Sequence, residues 1–266
     1  MFFVILILAG IFIGLLTGLF GIGGAIVIVP LVSFLLAAKH IGAYAALHLA
    51  IGTSVMTATI TNIPALIQHH KLKNIHWPLF LRYLLLGGAL GAVVGAILAG
   101  LVPTTVLKIF FSVFILLIAF IMIYKAIKPS LEDQTTNKIS GISHSVISFL
   151  IALISGLVGV GGVSVMTAFL NRHSKIHHAI GTSALFGLPV TFVAAITYLI
   201  VGFNNPNLPS FSTGYIYWPA VISFAVTAML FAPIGTKIAA RLSQRKLKGA
   251  FGILLAVASI ASLVYS

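Results

Sequence analysis

Acidic side chains are almost missing from this sequence. Its 266 residues include two, Glu132 and Asp133, against fifteen Lys and Arg, and charged residues of all kinds make up 6%, where a soluble domain carries about 25%. A water-exposed surface cannot be built from so few charges. The apolar stretches contain no carboxylate at all, yet carboxylates are the usual intramembrane ligands for cations and the usual proton carriers. That absence excludes transport of metal or organic cations, cation-selective rings and H-E-x-x-H metalloprotease chemistry. Cysteine is absent as well, so disulfides and thiolate metal sites are excluded, while the compartment stays undecided.

What the chain does have is hydrocarbon, at 60% of residues. Stretches free of Lys, Arg, Asp and Glu run over 1–38, 83–107, 139–171 and 176–236, and a membrane crossing needs about 20 apolar residues. The chain therefore reads as a many-pass helical membrane protein. The opening segment lacks a basic start and an A-x-A-like cleavage site, so it is expected to be a retained helix rather than a signal peptide. A net charge of +13 does not indicate nucleic acid here, because the cations sit in short loops between apolar segments, which is a topology signal.

Turns and charges divide the chain into predicted apolar segments at 2–19, 25–38, 45–68, 80–101 and 105–127, then at 144–158, 163–171, 179–201, 215–236 and 247–265. Between the sets lies a polar connector, 128–143, with Pro129 and both acids. The sets are repeats. GLFGIGG at 18–24 answers GLVGVGG at 156–162, H-x-A-I-G-T-S occurs at 48–54 and 177–183, and I-x-W-P at 75–78 and 216–219. The expected organisation is an N-terminal transmembrane repeat over 1–127, a cytoplasmic connector over 128–143 and a C-terminal transmembrane repeat over 144–266.

Basic residues orient the spans. Lys71, Lys73 and Arg82 flank one loop, Lys125, Lys128 and Lys138 a second, Arg172 and Lys175 a third, and Lys237, Arg241, Arg245, Lys246 and Lys248 a fourth. These loops are expected inside, with Lys39 as the one misfit. Each half then has a glycine-broken helix pair plus three transmembrane helices, an odd number of crossings whether or not the pair is re-entrant. The expected fold is thus all-α with two inverted repeats and eight to ten membrane segments, the plan of many secondary transporters.

Chemistry is expected first at the glycine clusters Gly21, Gly23 and Gly24 and Gly159, Gly161 and Gly162, each between short apolar segments. A helix must break there, and irregular backbone at membrane depth must be buried in protein or line a wet cavity. The break leaves first-turn amides of the next helix bare, an anion site that needs no charged side chain. Gly10, Gly14 and Gly18 fit close helix packing instead. A dinucleotide fingerprint does not fit, since no strand precedes the motif. Thr53 and Ser54, with Thr182 and Ser183, place hydroxyls in apolar helices, where they either bond their own backbone four residues back or face a substrate. Asn62, Pro64 and Pro189 mark kinks. His69, His70 and His76 read as a solvated loop, and His48 and His177 as caps of helix starts.

GLFGIGGAIVIVP at 18–30 and GLVGVGGVSVM at 156–166, with the duplicated A-I-G-T-S, the Trp-Pro pairs and the basic segment 237–248, resemble the sulfite exporter TauE/SafE family of bacterial inner-membrane transporters. The resemblance covers nearly the whole chain and implies export or uptake of a small anion: sulfite, an organosulfonate or a small carboxylate. Ala25 and Val163 stand where the family motif often has a further glycine, and Pro30 is answered by Ala168. The combined expectation is a secondary transporter in which one half rocks against the other. Gly21, Gly23, Gly24, Gly159, Gly161 and Gly162 supply amides, and Thr53, Ser54, Thr182 and Ser183 supply hydroxyls. Its partners are the anion and the lipid bilayer of the bacterial inner membrane, with no nucleic acid, cofactor or metal; a homodimer is left open. The rivals are a passive anion channel on the same fold and a non-transporting membrane assembly protein.

Overall fold

In the computed structural model, the described residues are 2–20, 25–38, 45–127, 141–172, 174, 176–206, 208–239 and 241–265. Apolar sequence becomes helix wherever loop chemistry does not interrupt it, because a lipid-facing backbone must satisfy its own hydrogen bonds. Before the connector come α1 (Phe2–Phe20), α2 (Ala25–Ala38), α3 (Ala46–Lys71), α4 (Trp77–Leu101) and α5 (Thr104–Ile127). After it come α6 (Gly141–Val158), α7 (Val163–Asn171), α8 (Ile176–Val201), α9 (Trp218–Ala239) and α10 (Gln244–Tyr265). Among the described residues, five helices are long and apolar enough to cross a membrane: α3, α4, α8, α9 and, over Thr104–Tyr124, α5. Shorter apolar helices occupy Val4–Leu19, Ala25–Leu36 and Ile142–Val158. The protein is an all-α membrane protein.

Two local features depart from uniform α-helix. A π-helical turn over Phe80–Leu84 opens α4 just past Pro78. Ahead of α9, β1 (Ser212–Thr213) and β2 (Ile216–Tyr217) form a small antiparallel ribbon, where sequence reasoning placed the start of a helix at 215. Gly214 turns it with φ of 53°, and the Trp218 indole N–H donates to the Thr213 hydroxyl at 3.1 Å.

Glycine stripes set the packing. A methyl group at Gly14 would lie 2.9 Å from the Ala228 Cα, and at Gly10 and Gly18 it would collide with the Thr227 hydroxyl and the Ala232 carbonyl. The expectation of close packing at these three positions is met by α9. On α4, Gly87, Gly91 and Gly95 meet the Ser145, Phe149 and Leu153 carbonyls of α6 in the same way. Small residues are what let backbones approach this closely where no hydrophobic force draws helices together in lipid. Beyond these pairs, α5 lies along α10 and α3 against α8. The first helix on each side of the connector thus seats on the fourth helix of the other side, the third on the third and the fifth on the fifth.

Candidate functional site

The second glycine motif is the break that its sequence demands. Gly159, Gly161 and Gly162 have φ of 78°, 74° and 65°, a region that costs other L-residues about 1–2 kcal/mol. At the end of α6 the Gly159 and Val160 amides both bond the Ser155 carbonyl, at 2.8 and 3.3 Å. The fully buried Tyr198 hydroxyl donates to the Gly156 carbonyl at 2.7 Å, satisfying a helix-end acceptor that lipid could not. On the far side, Gly162 is the left-handed N-cap of α7, and the first bond closing that helix runs from the Met166 amide to the Gly162 carbonyl at 2.9 Å. By helix geometry the preceding first-turn amides have no intrahelical acceptor.

The reversal is pressed against helices of both halves of the chain. A methyl at Gly159 would come within 2.9 Å of Ile51 Cγ2 on α3 and 3.2 Å of Val29 Cγ2 on α2, and one at Gly161 within 2.9 Å of Thr191 Cγ2. Gly21, Gly23 and Gly24 lie outside the described residues. Their neighbour Ala25 is described, and the buried Ser54 hydroxyl lies 3.1 Å from the Ala25 carbonyl and 3.0 Å from the Gly159 carbonyl. Ser54 therefore brings the start of α2 and the second reversal together at one oxygen.

The remaining hydroxyls of the repeated A-I-G-T-S do not bond their own helix. Thr53 accepts the Tyr217 amide at 3.0 Å, and Thr182 accepts the His76 amide at 3.0 Å. Each Thr holds the I-x-W-P segment of the opposite half, and the preceding glycine in each repeat abuts that segment: Gly52 meets the Tyr215 carbonyl and Gly181 the Asn74 carbonyl. Each hydroxyl keeps its own proton available as a donor. Ser183 is fully buried, and its Oγ has no partner among the described residues.

The histidines differ from expectation. His48 does not cap the start of its own helix. Its Nε2 lies 2.9 Å from the Ala99 carbonyl at the end of α4, and its ring stacks on Tyr215 at 5.1 Å. The cap forms at the wrong end of the wrong helix because the chain brings α4 back beside the α3 start. His177 is exposed, so the two are not equivalent. His76, read as a loop residue, is the N-cap of α4, its Nδ1 accepting the Leu79 amide at 3.2 Å.

A cavity of about 240 Å³ adjoins the reversal, walled by α5 (Phe114, Ile118), α6 (Ile154), α10 (Phe251) and the polar exceptions Ser155, Gly162 and Ser164. Sequence reasoning passed over Ser155, which is 3% exposed with an Oγ that has no partner among the described residues. One signal pointed to it: a hydroxyl precedes both glycine motifs, Thr17 before Gly18 and Ser155 before Gly156. Thr17 donates back to the Ile13 carbonyl at 2.8 Å, whereas Ser155 does not. Asn62 was read only as a kink; its Nδ2 and the Gly161 carbonyl both lie 3.7 Å from the point a Gly187 methyl would occupy.

Comparison with known proteins gives one family. The model described as Sulfite exporter TauE/SafE matches residues 6–262. A probable membrane transporter protein of Haemophilus influenzae is 32% identical over 260 residues, covering 97% of each chain. Another, of Methanocaldococcus jannaschii, is 25% identical over 263 residues, 98% of this chain and 95% of the relative. A third, from Bacillus subtilis, is 23% identical over 255 residues, 90% of this chain and 89% of the relative. No solved structure matches the chain.

Proposed function

Because the chain belongs to the sulfite exporter TauE/SafE family, whose members named above are membrane transporters and not enzymes, we propose that it is a secondary transporter carrying a small anion by alternating access across a bacterial inner membrane. The cargo in this reading is sulfite, an organosulfonate or a small carboxylate. One observation carries it: the glycine reversal over 159–162, where the left-handed backbone breaks the helix beside a cavity and the first-turn amides of α7 are left without intrahelical acceptors. Such amides hold negative charge without a cationic side chain, and no acid in the spanning helices competes for the role.

In this reading Gly159, Gly161 and Gly162, with Gly21, Gly23 and Gly24, supply backbone amides, and Ser183 is the hydroxyl nearest to spare. Thr53, Ser54 and Thr182 donate only while also tying the halves together. The exchange of contacts between Thr53 and Tyr217, and between Thr182 and His76, supports two repeats over 1–127 and 144–266 related by a two-fold axis, and in this reading the odd number of crossings in each half lays that axis in the membrane plane. The exchange also favours movement between mixed groups of helices over movement of one half against the other. Proteoliposomes test the function. Concentrative sulfite or sulfonate uptake under an imposed proton or sodium gradient is expected; uptake that only ever equilibrates assigns a passive channel, and no uptake of any anion sinks the reading.

A further inference from the structure

The cavity beside the reversal is far more apolar than a bare oxyanion needs. Phe114 and Ile118 come from α5, Ile154 from α6 and Phe251 from α10, while the polar exceptions, Ser155, Gly162 and Ser164, gather at the α7 end. Sulfite or sulfate held at that end would leave the hydrocarbon walls facing nothing. An apolar cavity of about 150 Å³ takes a benzene ring, so about 240 Å³ holds a ring or a short alkyl chain together with a small charged head.

The polar end is independently prepared for a ligand. The helix starting there has nine residues, opening on the left-handed Gly162. The point where a methyl on Gly162 would sit lies 2.9 Å from the Ser155 Oγ. That hydroxyl is buried, in the wall of the cavity, and without a partner among the described residues. A buried hydroxyl with no acceptor is costly, and an anionic oxygen resting on the α7 amides would give its proton a place to go.

Building on the transport reading above, we infer that the site takes an amphiphilic organic anion, a sulfonate or carboxylate with an apolar body of about four to six carbons, in preference to inorganic sulfite or sulfate. Its charged group rests on the first turn of α7 and the Ser155 hydroxyl. Its hydrocarbon lies against Phe114, Ile118, Ile154 and Phe251.

The test is a chain-length series on the full-length protein in lipid nanodiscs: sulfite, methanesulfonate, propanesulfonate, pentanesulfonate and benzenesulfonate, with pentanol as the uncharged control. Apparent affinity is expected to rise about threefold to fourfold per methylene up to pentanesulfonate, with pentanol binding far more weakly. Ile118→Trp, which fills the cavity, is expected to flatten the series to the methanesulfonate value. Ser155→Ala removes no bond made among the described residues and is expected to weaken every anion about tenfold alike, leaving the slope in place. Sulfite and methanesulfonate binding with no chain-length dependence overturns the inference and leaves anion transport standing. So does a slope that survives Ile118→Trp, or pentanol competing as well as pentanesulfonate, which would mark a plain hydrocarbon slot. Failure of every anion both to bind and to move in proteoliposomes removes the transport reading, and this inference with it.

Discussion

Ser54 and Ser183 occupy matched places in the repeated A-I-G-T-S, yet their surroundings predict opposite responses to the same substitution. The Ser54 hydroxyl is fully buried and lies within 3.1 Å of two carbonyls, those of Ala25 and Gly159. Ser54→Ala removes the one hydroxyl proton that these two acceptors share. A stranded buried acceptor costs about 1–3 kcal/mol, trimmed to about 0.6–1.7 kcal/mol among membrane helices. With about 1.5 kcal/mol taken for the pair, and roughly 2–4 °C per kcal/mol for a chain of this size, Tm should fall by about 3–6 °C. Ser183→Ala removes a buried hydroxyl that has no partner among the described residues, so Tm should stay level or rise slightly. Thermal denaturation of detergent-purified protein, followed as loss of the monodisperse peak, measures both. Equal losses for the two variants, or a larger loss for Ser183→Ala, would refute the assignment of the bridging role to Ser54.

Further substitutions probe the other features. Gly161→Val puts a branched side chain at φ of 74° and within reach of Thr191; anion flux into proteoliposomes should vanish while the protein still inserts and purifies. Thr53→Val leaves the buried Tyr217 amide without its acceptor, and Thr182→Val does the same to the part-buried His76 amide. Thr53→Val should cost about 1–3 kcal/mol in thermal stability, and Thr182→Val less, because His76 is exposed and water can take the place of the lost acceptor. Gly91→Leu drives a side chain into the Phe149 carbonyl and should abolish the monodisperse peak altogether. Since the native chain has no cysteine, Lys71→Cys and Asn204→Cys are clean probes of sidedness, and a membrane-impermeant maleimide should label them from opposite faces.

Much of this fold was legible because lipid imposes simple rules. The starts and ends of α2 and α7 coincide with the predicted segments, and most other ends fall within three residues, since charge and turn residues are the only punctuation in so apolar a chain. The left-handed glycines at 159, 161 and 162 were legible for the same reason: nothing else in the motif tolerates a reversal. The ribbon ahead of α9 was hidden because Tyr215, Ile216 and Tyr217 read as the apolar start of a helix. The partners of Thr53 and Thr182 were hidden for a deeper reason. A hydroxyl in an apolar helix defaults to its own backbone, as Thr57 and Thr59 do here at 2.8 Å, and only tertiary structure shows which ones reach across. The cavity needed Phe114 and Phe251 to line one space, a pairing that no local pattern announces.

The seating of α1 on α9 and of α4 on α6 bears on what a folding unit is in this chain. Cut at the connector, the first fragment keeps two glycine-lined grooves, on α1 and α4, whose occupants have left with the second, and each fragment loses the hydroxyl that fastens its Trp-Pro turn. Neither piece is self-sufficient. During synthesis the first helix must therefore wait in the bilayer, unpaired, until more than two hundred later residues have been made.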